Sequence, residues 1–192
     1  MFRSTYDARF YEELVPLESA YAVLAQRIVE YFKPESVCDF GCGTGYVLSQ
    51  LAESGVSVTG VEGSPTALDF VEASIKERIR IADLSKPLQV GICDLALSTE
   101  VAEHLPKKAA RCFVSNVSAA AAKYVVFSAA APGQWGDGHI KCQPKAYWID
   151  LFREQGFRPE PQLTRSFVAS LAPIEKDLPW IGNLIIFARG KA

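Results

Sequence analysis

The sequence predicts an α/β domain: a seven-stranded, mostly parallel sheet with one antiparallel strand and helices on both faces. Three observations predict it. Short apolar runs alternate with helical patterns from residue 34 onward, which implies right-handed crossovers and parallel pairing. The apolar runs are close to continuous, as strands covered on both faces require. The tail breaks the alternation, so its two strand-like runs pair as a hairpin and reverse one strand at or near an edge.

Each element has its own signal. "PLESAYAVLAQRIVEYF" has a helical period and ends before Pro34. "SVCDFG" reads as the first strand, and "GYVLSQLAESG" as a helix stopped by Gly55. "VSVTGVEG" is the second strand, and "SPTALDFVEASI" a helix with Ser64 as cap and Pro65 at its first position. "RIRIADL" and "ICDLALST" are the third and fourth strands. "PKKAARCFVSNVSAAAA" is a helix and "YVVFSAAAP" the fifth strand. "KAYWIDLFREQG" is a helix closed by Gly156, and the tail "RSFVASLAPI…LPWIGNLIIFARG" reads as two strands with a loop.

The 192 residues form one domain, residues 1–192, with a helical lid segment over 1–33 and a core over 34–192. Basic and acidic residues nearly balance, 20 against 22, so a partner recognised by neutralising many phosphates is disfavoured. No apolar run reaches the roughly 20 residues that span a bilayer. The start, "MFRSTYDARFYEEL", lacks the apolar core of a signal peptide, so a cytoplasmic location is expected. The five cysteines include no C-x-x-C pair, which excludes a disulfide scaffold; Cys38 and Cys93 read as small buried hydrophobes.

In such sheets ligands sit beyond the carboxyl ends of the strands, at the switch in strand order. "VCDFGCGTGYVL" places Gly41, Gly43 and Gly45 directly after the first strand, with Cys42 inside the turn. A turn this tight needs positive φ or a missing Cβ. The following helix aims free N–H groups at whatever lies over it. The second strand ends in Glu62, 21 residues after Gly41, close to the spacing of an acid that binds ribose hydroxyls. The spacing is G-x-G-x-G preceded by Asp39, not the G-x-G-x-x-G of dinucleotide sites. An acid there suits a cationic ligand and sits awkwardly beside a pyrophosphate.

These residues resemble motif I of the class I S-adenosylmethionine-dependent methyltransferases, whose fold is Rossmann-like. The resemblance runs from about Pro34 to the C-terminus. It implies S-adenosyl-L-methionine as cofactor and S-adenosyl-L-homocysteine as product. It assigns the ribose to Glu62, the adenine amino group to Asp83 with the backbone amide of Leu84, and the rest of the cradle to Asp39, Gly41, Cys42, Gly43, Gly45, Gly63 and Thr99. NAD binding stays open as another reading of the turn.

After the fourth strand, "STEVAEHL" spaces Glu100, Glu103 and His104 at i, i+3 and i+4, so one helical turn would face all three the same way. His139 follows the fifth strand and also belongs to the carboxyl rim. Glu100, Glu103, His104 and His139 could together hold a divalent metal. The pattern is similar to the E-x-x-E-H and downstream His of small-RNA 3′-terminal 2′-O-methyltransferases, which bind a metal there. It is also shared with ubiquinone-pathway O-methyltransferases and with small methyltransferases that use none. Without a metal, His104, His139 or Glu100 serves as catalytic base.

The resemblance places the N-terminal segment over the cofactor, with Tyr6, Phe10 and Tyr11 toward it; the alternative is a helix that packs these rings on the sheet. "GQWGDGH", with Trp135, is a loop positioned to shape an acceptor pocket, and Tyr147 is better placed than Trp148 to reach it. Small relatives often carry Asn where Lys141 stands. The expected acceptor is a small hydroxylated metabolite or sugar that is O-methylated. N-methylation, metal-assisted 2′-O-methylation of an RNA 3′ end, and a non-catalytic nucleoside-binding module are the alternatives.

Overall fold

The structure is a computed structural model and describes residues 6–190. The elements are α1 (Ala8–Glu12), α2 (Glu18–Phe32), β1 (Ser36–Phe40), α3 (Tyr46–Glu53), β2 (Ser57–Glu62), α4 (Ala73–Lys76) and β3 (Ile79–Ile81). They continue with β4 (Cys93–Ser98), α5 (Ala110–Ala120), β5 (Ala121–Phe127), α6 (Lys145–Glu154), β6 (Phe157–Pro159), α7 (Pro161–Ser170) and β7 (Ile185–Arg189). The seven strands form one sheet in the order β3-β2-β1-β4-β5-β7-β6. All neighbours pair in parallel except around β7, which runs antiparallel to both β5 and β6. The expected architecture therefore stands, with a single reversed strand second from the edge.

Both faces are covered, which is why the strands read as nearly continuous apolar runs. On one face Leu24, Ile28, Leu48, Leu51 and Phe167 of α2, α3 and α7 pack on Val37, Leu95 and Ile186. On the other, Phe113, Val117, Trp148 and Phe152 of α5 and α6 pack on Phe40, Val125 and Phe187. Cys38 and Cys93 are buried in this second core, as expected.

Two stretches depart from the expectation. "RSFVASLAPI" is not a strand but the end of α7 and the turn after it, so the tail is not a hairpin. Pro161 opens that helix at its first turn, and Leu163, Phe167 and Leu171 recur every four residues, with Phe167 and Leu171 buried. The missing strand is β6, only three residues long and directly after Gly156, too short to show a period of its own. The stretch 64–75 is likewise not one helix. A short 3-10 turn over Pro65–Asp69 precedes the single-turn α4. Ser64 does not cap it; its hydroxyl donates to the carbonyl of Tyr6 (3.1 Å).

Strand order turns around between β1 and β4. The loops after β1, β2, β3, β4 and β5 all leave the sheet on one rim. Because β7 is reversed, the segment that leads into it, Pro179–Asn183, lies on that rim too.

Candidate active site and cofactor pocket

A cavity of about 760 Å³ opens at this switch point, within the roughly 300–1,000 Å³ typical of ligand pockets. One half is built from the ends of β1, β2 and β3. Gly41 has φ 83°, and a Cβ there would lie 2.4 Å from Val101 Cγ2, so only glycine fits. Gly41 N–H donates to the carbonyl of Val61 (2.7 Å), which ties the turn to β2. Gly43 has φ 54°, and a Cβ there would meet nothing within 4 Å: the space above it is the cavity. Gly45, at φ 75°, is the left-handed residue from which α3 starts. Cys42 packs its sulfur against Gly60, where a Cβ would lie 2.8 Å from it. Burial, then Asp39 and Glu62, push its thiol well up, so it is a packing residue and no nucleophile.

Glu62 is buried at the end of β2 and joins two loops. One carboxylate oxygen accepts from Gly43 N–H (2.9 Å), the other from Ser64 N–H (2.8 Å). A carboxylate has about four lone-pair sites, so acceptor capacity remains toward the cavity, which Glu62 lines beside Gly63. Asp39 is buried at the floor, and its Oδ1 has no partner among the described residues. Burial first, and then the Glu62 charge, push its carboxyl up to about 8. An unpaired buried acid aimed at a cavity fits a cationic group. Asp83 is exposed after β3. Its Oδ1 accepts from Ser85 Oγ (2.6 Å) and Ser85 N–H (2.9 Å), which hold its carboxyl below the usual range. It lines the cavity with Leu84 and Thr99.

The other half comes from irregular segments. After β4 the chain takes Glu100 through φ 53°, rare for a side chain with a Cβ. Glu100 N–H donates to Ser128 O and Oγ (3.2 and 3.1 Å), and its carboxylate accepts from Asn183 Nδ2 at 3.4 Å. Burial, then Glu103, push the Glu100 carboxyl up to about 8. Only a short 3-10 turn, Ala102–His104, follows. The expected common face of Glu100, Glu103 and His104 is therefore lost. Glu103 turns inward, fully buried, and accepts from Ala130 N–H (3.0 Å).

The two histidines do meet. The rings of His104 and His139 lie 4.9 Å apart, edge to face. His139 Nε2 is 4.0 Å from Glu103 Oε1, and its Nδ1 lies 3.1 Å from the carbonyl of Gln134. One ligand atom from each of Glu103, His104 and His139 lies within 4.8 Å of the others; Glu100 is not part of that group. Glu103 Oε2 and His104 Nδ1 are buried without partners among the described residues, and burial lowers the His104 imidazole's pKa. This donor set could hold a divalent metal. His104, His139 and Glu100 all line the cavity.

The N-terminal segment roofs the cavity. Tyr6 sets its ring edge-on to His104 (5.6 Å), Phe10 lines the opening, and buried Tyr11 packs on Phe70. Residues 1–5 of the expected lid lie outside the described residues. Tyr147 does not line the cavity; its hydroxyl accepts from Lys141 Nζ (2.8 Å) in the wall behind it. Tyr21, Gln134, Pro179 and Trp180 do line it, and the sequence alone does not single them out. Tyr21 belongs to an ordinary amphipathic helix, and Trp180 to an irregular segment whose rim position follows only from the reversal of β7. Gly136 is visible as a glycine but not as a seat for His139, whose Nε2 would lie 2.3 Å from a Cβ there.

Residues 38–118, which hold the glycine turn, β2 to β4 and most of α5, match the methyltransferase domain family. Among curated proteins it is similar to magnesium protoporphyrin IX methyltransferase of Arabidopsis thaliana chloroplasts, 26% identical over 77% of this chain and 46% of that one. An uncharacterized methyltransferase of Mycobacterium bovis is 28% identical over 52% of this chain and 42% of its own length. The chain thus spans less than half the length of these relatives. Among solved structures, the Synechocystis magnesium protoporphyrin IX methyltransferase with bound SAM superposes with TM-score 0.59 at 20% identity, over 81% of this chain and 76% of that one. The sugar N-methyltransferase KedS8 of Streptoalloteichus superposes with TM-score 0.72 at 14% identity, over 100% and 96%. At these identities the superpositions establish a shared fold. Among the described residues no helix is long and apolar enough to cross a membrane.

Proposed function

We propose that this chain transfers the methyl group of S-adenosyl-L-methionine to a small hydroxylated acceptor and releases S-adenosyl-L-homocysteine. The observation that carries the proposal is one continuous cavity. The glycine turn, Asp39, Glu62 and Asp83 line one half, and the His104–His139 pair lines the other. The cofactor's own contribution is a methyl group on a sulfonium centre, which leaves as a neutral thioether. The residues present fit it. Asp39 offers an unpaired buried carboxylate to an ammonium, Gly43 leaves its approach open, and Glu62 keeps acceptor capacity for ribose hydroxyls. Asp83 and the Leu84 amide complete the adenine end.

Two tasks remain for the chain itself. The first is to hold the acceptor in line with the methyl carbon, a contribution of about 7–11 kcal/mol where positioning is good. The second is to accept the acceptor's proton as its oxygen bonds to carbon, which adds roughly 10²–10⁴-fold. His104 and His139, which line the cavity, would serve the second task, with Glu100 as a further candidate. Positioning contributes more than proton removal does, so a modest base suffices.

A second reading is favoured by the orphaned Glu103 Oε2 and His104 Nδ1. With His139 they would hold a divalent metal whose charge polarises the acceptor hydroxyl. Metal analysis of wild type against His104→Ala tests it: loss of one equivalent in the variant supports the metal, and equal content removes it. For the main proposal, calorimetry with S-adenosyl-L-homocysteine and NAD is the test. Heat from the former alone supports it; heat from NAD alone overturns it.

A further inference from the structure

The acceptor half has a consistent chemical character. Among the described residues that line the cavity there is no lysine or arginine, while Glu100 and Asp137 supply carboxyl groups on the acceptor side. The two nearby lysines on the flanking segment are spent on the protein itself. Lys141 is buried, and its Nζ donates to Tyr147 Oη (2.8 Å) and the carbonyl of Lys107 (3.3 Å). Lys145 Nζ donates to the carbonyls of Gly182 (2.7 Å) and Leu184 (3.3 Å). Phosphates and carboxylates are recognised by guanidinium and ammonium groups, and the described lining offers an anionic acceptor neither.

At the rim stands Trp135, 97% exposed, on the loop between β5 and α6. A lone surface tryptophan means little. This one lines the cavity beside Gln134, and the network beneath is rigid: Asn183 Nδ2 donates to Gln134 Oε1 (2.8 Å) and to Glu100 Oε1 (3.4 Å), and Ala131 N–H also donates to Gln134 Oε1 (3.2 Å). The amide nitrogen of Gln134 takes no partner among the described residues. An open aromatic plate next to two carboxyl groups and a fixed carboxamide presents one apolar face and several hydrogen-bond partners. A pyranose matches both: its C–H face is apolar, and each hydroxyl donates and accepts.

We propose that the acceptor is an uncharged saccharide, stacked on Trp135 with hydroxyls held by Gln134, Glu100 and Asp137, and that phosphorylated or nucleotide-linked sugars are refused. This rests on the methyltransferase reading above. The sugar hydroxyl oxygen forms the new bond to the methyl carbon, the carbon–sulfur pair returns to sulfur, and the hydroxyl proton leaves to a histidine at the junction.

The test uses full-length protein. Calorimetry with S-adenosyl-L-homocysteine comes first; no binding overturns the cofactor reading and this inference with it. Label transfer from methyl-tritiated cofactor is then measured to methyl glycosides of common hexoses, their 1-phosphates and simple primary amines. Saturation-transfer NMR on the same compounds reads binding without turnover. Label in neutral glycosides and none in the phosphates is expected. Label confined to phosphates or amines, or no glycoside binding at the highest soluble concentration, overturns the inference while leaving the cofactor reading intact. Trp135→Ala should raise the glycoside KM roughly tenfold, the scale of one aromatic contact, with kcat and S-adenosyl-L-homocysteine affinity held, and Trp135→Phe should bring the KM most of the way back. An unchanged KM in Trp135→Ala overturns the stacking role.

Discussion

The two halves of the cavity are built by different means. The cofactor half hangs on backbone. Gly41 bonds to the Val61 carbonyl, and Glu62 holds the amides of Gly43 and Ser64, all at the ends of paired strands. The acceptor half hangs on side chains and irregular loops: Glu100 at positive φ, two histidines 4.9 Å apart, and Gln134 fixed by Asn183. A backbone-built half fails when its geometry is disturbed. A side-chain-built half fails one function at a time.

That contrast can be broken by experiment. The largest effect is expected from Gly41→Ala, where the added Cβ collides with Val101 and the φ of 83° is strained. Binding of S-adenosyl-L-homocysteine should fall at least about 100-fold, with a loss of stability beyond about 1 kcal/mol; Gly43→Ala, which meets no atom, should cost less stability. Equal losses would deny that packing against Val101 matters. Next, His139→Ala should lower turnover by about 10²–10⁴-fold while product-cofactor affinity, measured by calorimetry, changes less than about twofold. Parallel losses in both would mean that the halves are not separable. Glu62→Ala strands two backbone amides and removes the acid proposed to bind the ribose, so affinity should fall about 10–100-fold with the sheet still folded by circular dichroism.

The last effect is a pH dependence from Asp39. Its folded pKa, about 8, lies above its ordinary value of 3.8, so the folded chain keeps a proton that the unfolded chain has lost between those values. Stability of the ligand-free protein should therefore fall as pH rises through that window, by up to about 1.4 kcal/mol per unit, and level off above it. Glu100, pushed up to about 8 as well, adds to the same slope, so Asp39→Asn should lessen it without abolishing it. If the cofactor ammonium pairs with Asp39, binding releases the proton, and affinity rises with pH over the same window in wild type alone. Melting curves and calorimetry in buffers of different ionisation heat check both.

The cofactor half is legible in the sequence because its signals are local. The glycine spacing after "VCDF", the acid that ends "VSVTGVE" and the acid after "RIRIA" mark strand ends that the fold then gathers at one rim. The acceptor half is legible in composition but not in geometry. Nothing in "STEVAEHL" says that the backbone turns left-handed at Glu100 and sends Glu103 inward instead of alongside His104. The meeting of His104 with His139 depends on loops of irregular shape. Trp180 and Asn183 come to the site only through the reversal of β7. The composition of α7 obscures that reversal, since Phe167 and Val168 suit a strand as well as a helix face.

The most direct test is a crystal structure of the full chain with S-adenosyl-L-homocysteine. The ribose hydroxyls should lie on Glu62, the adenine amino group at Asp83, and the thioether sulfur should face His104 and His139. A ligand that avoids the glycine turn, or a turn that takes the diphosphate of NAD instead, would contradict the methyltransferase assignment of this cavity.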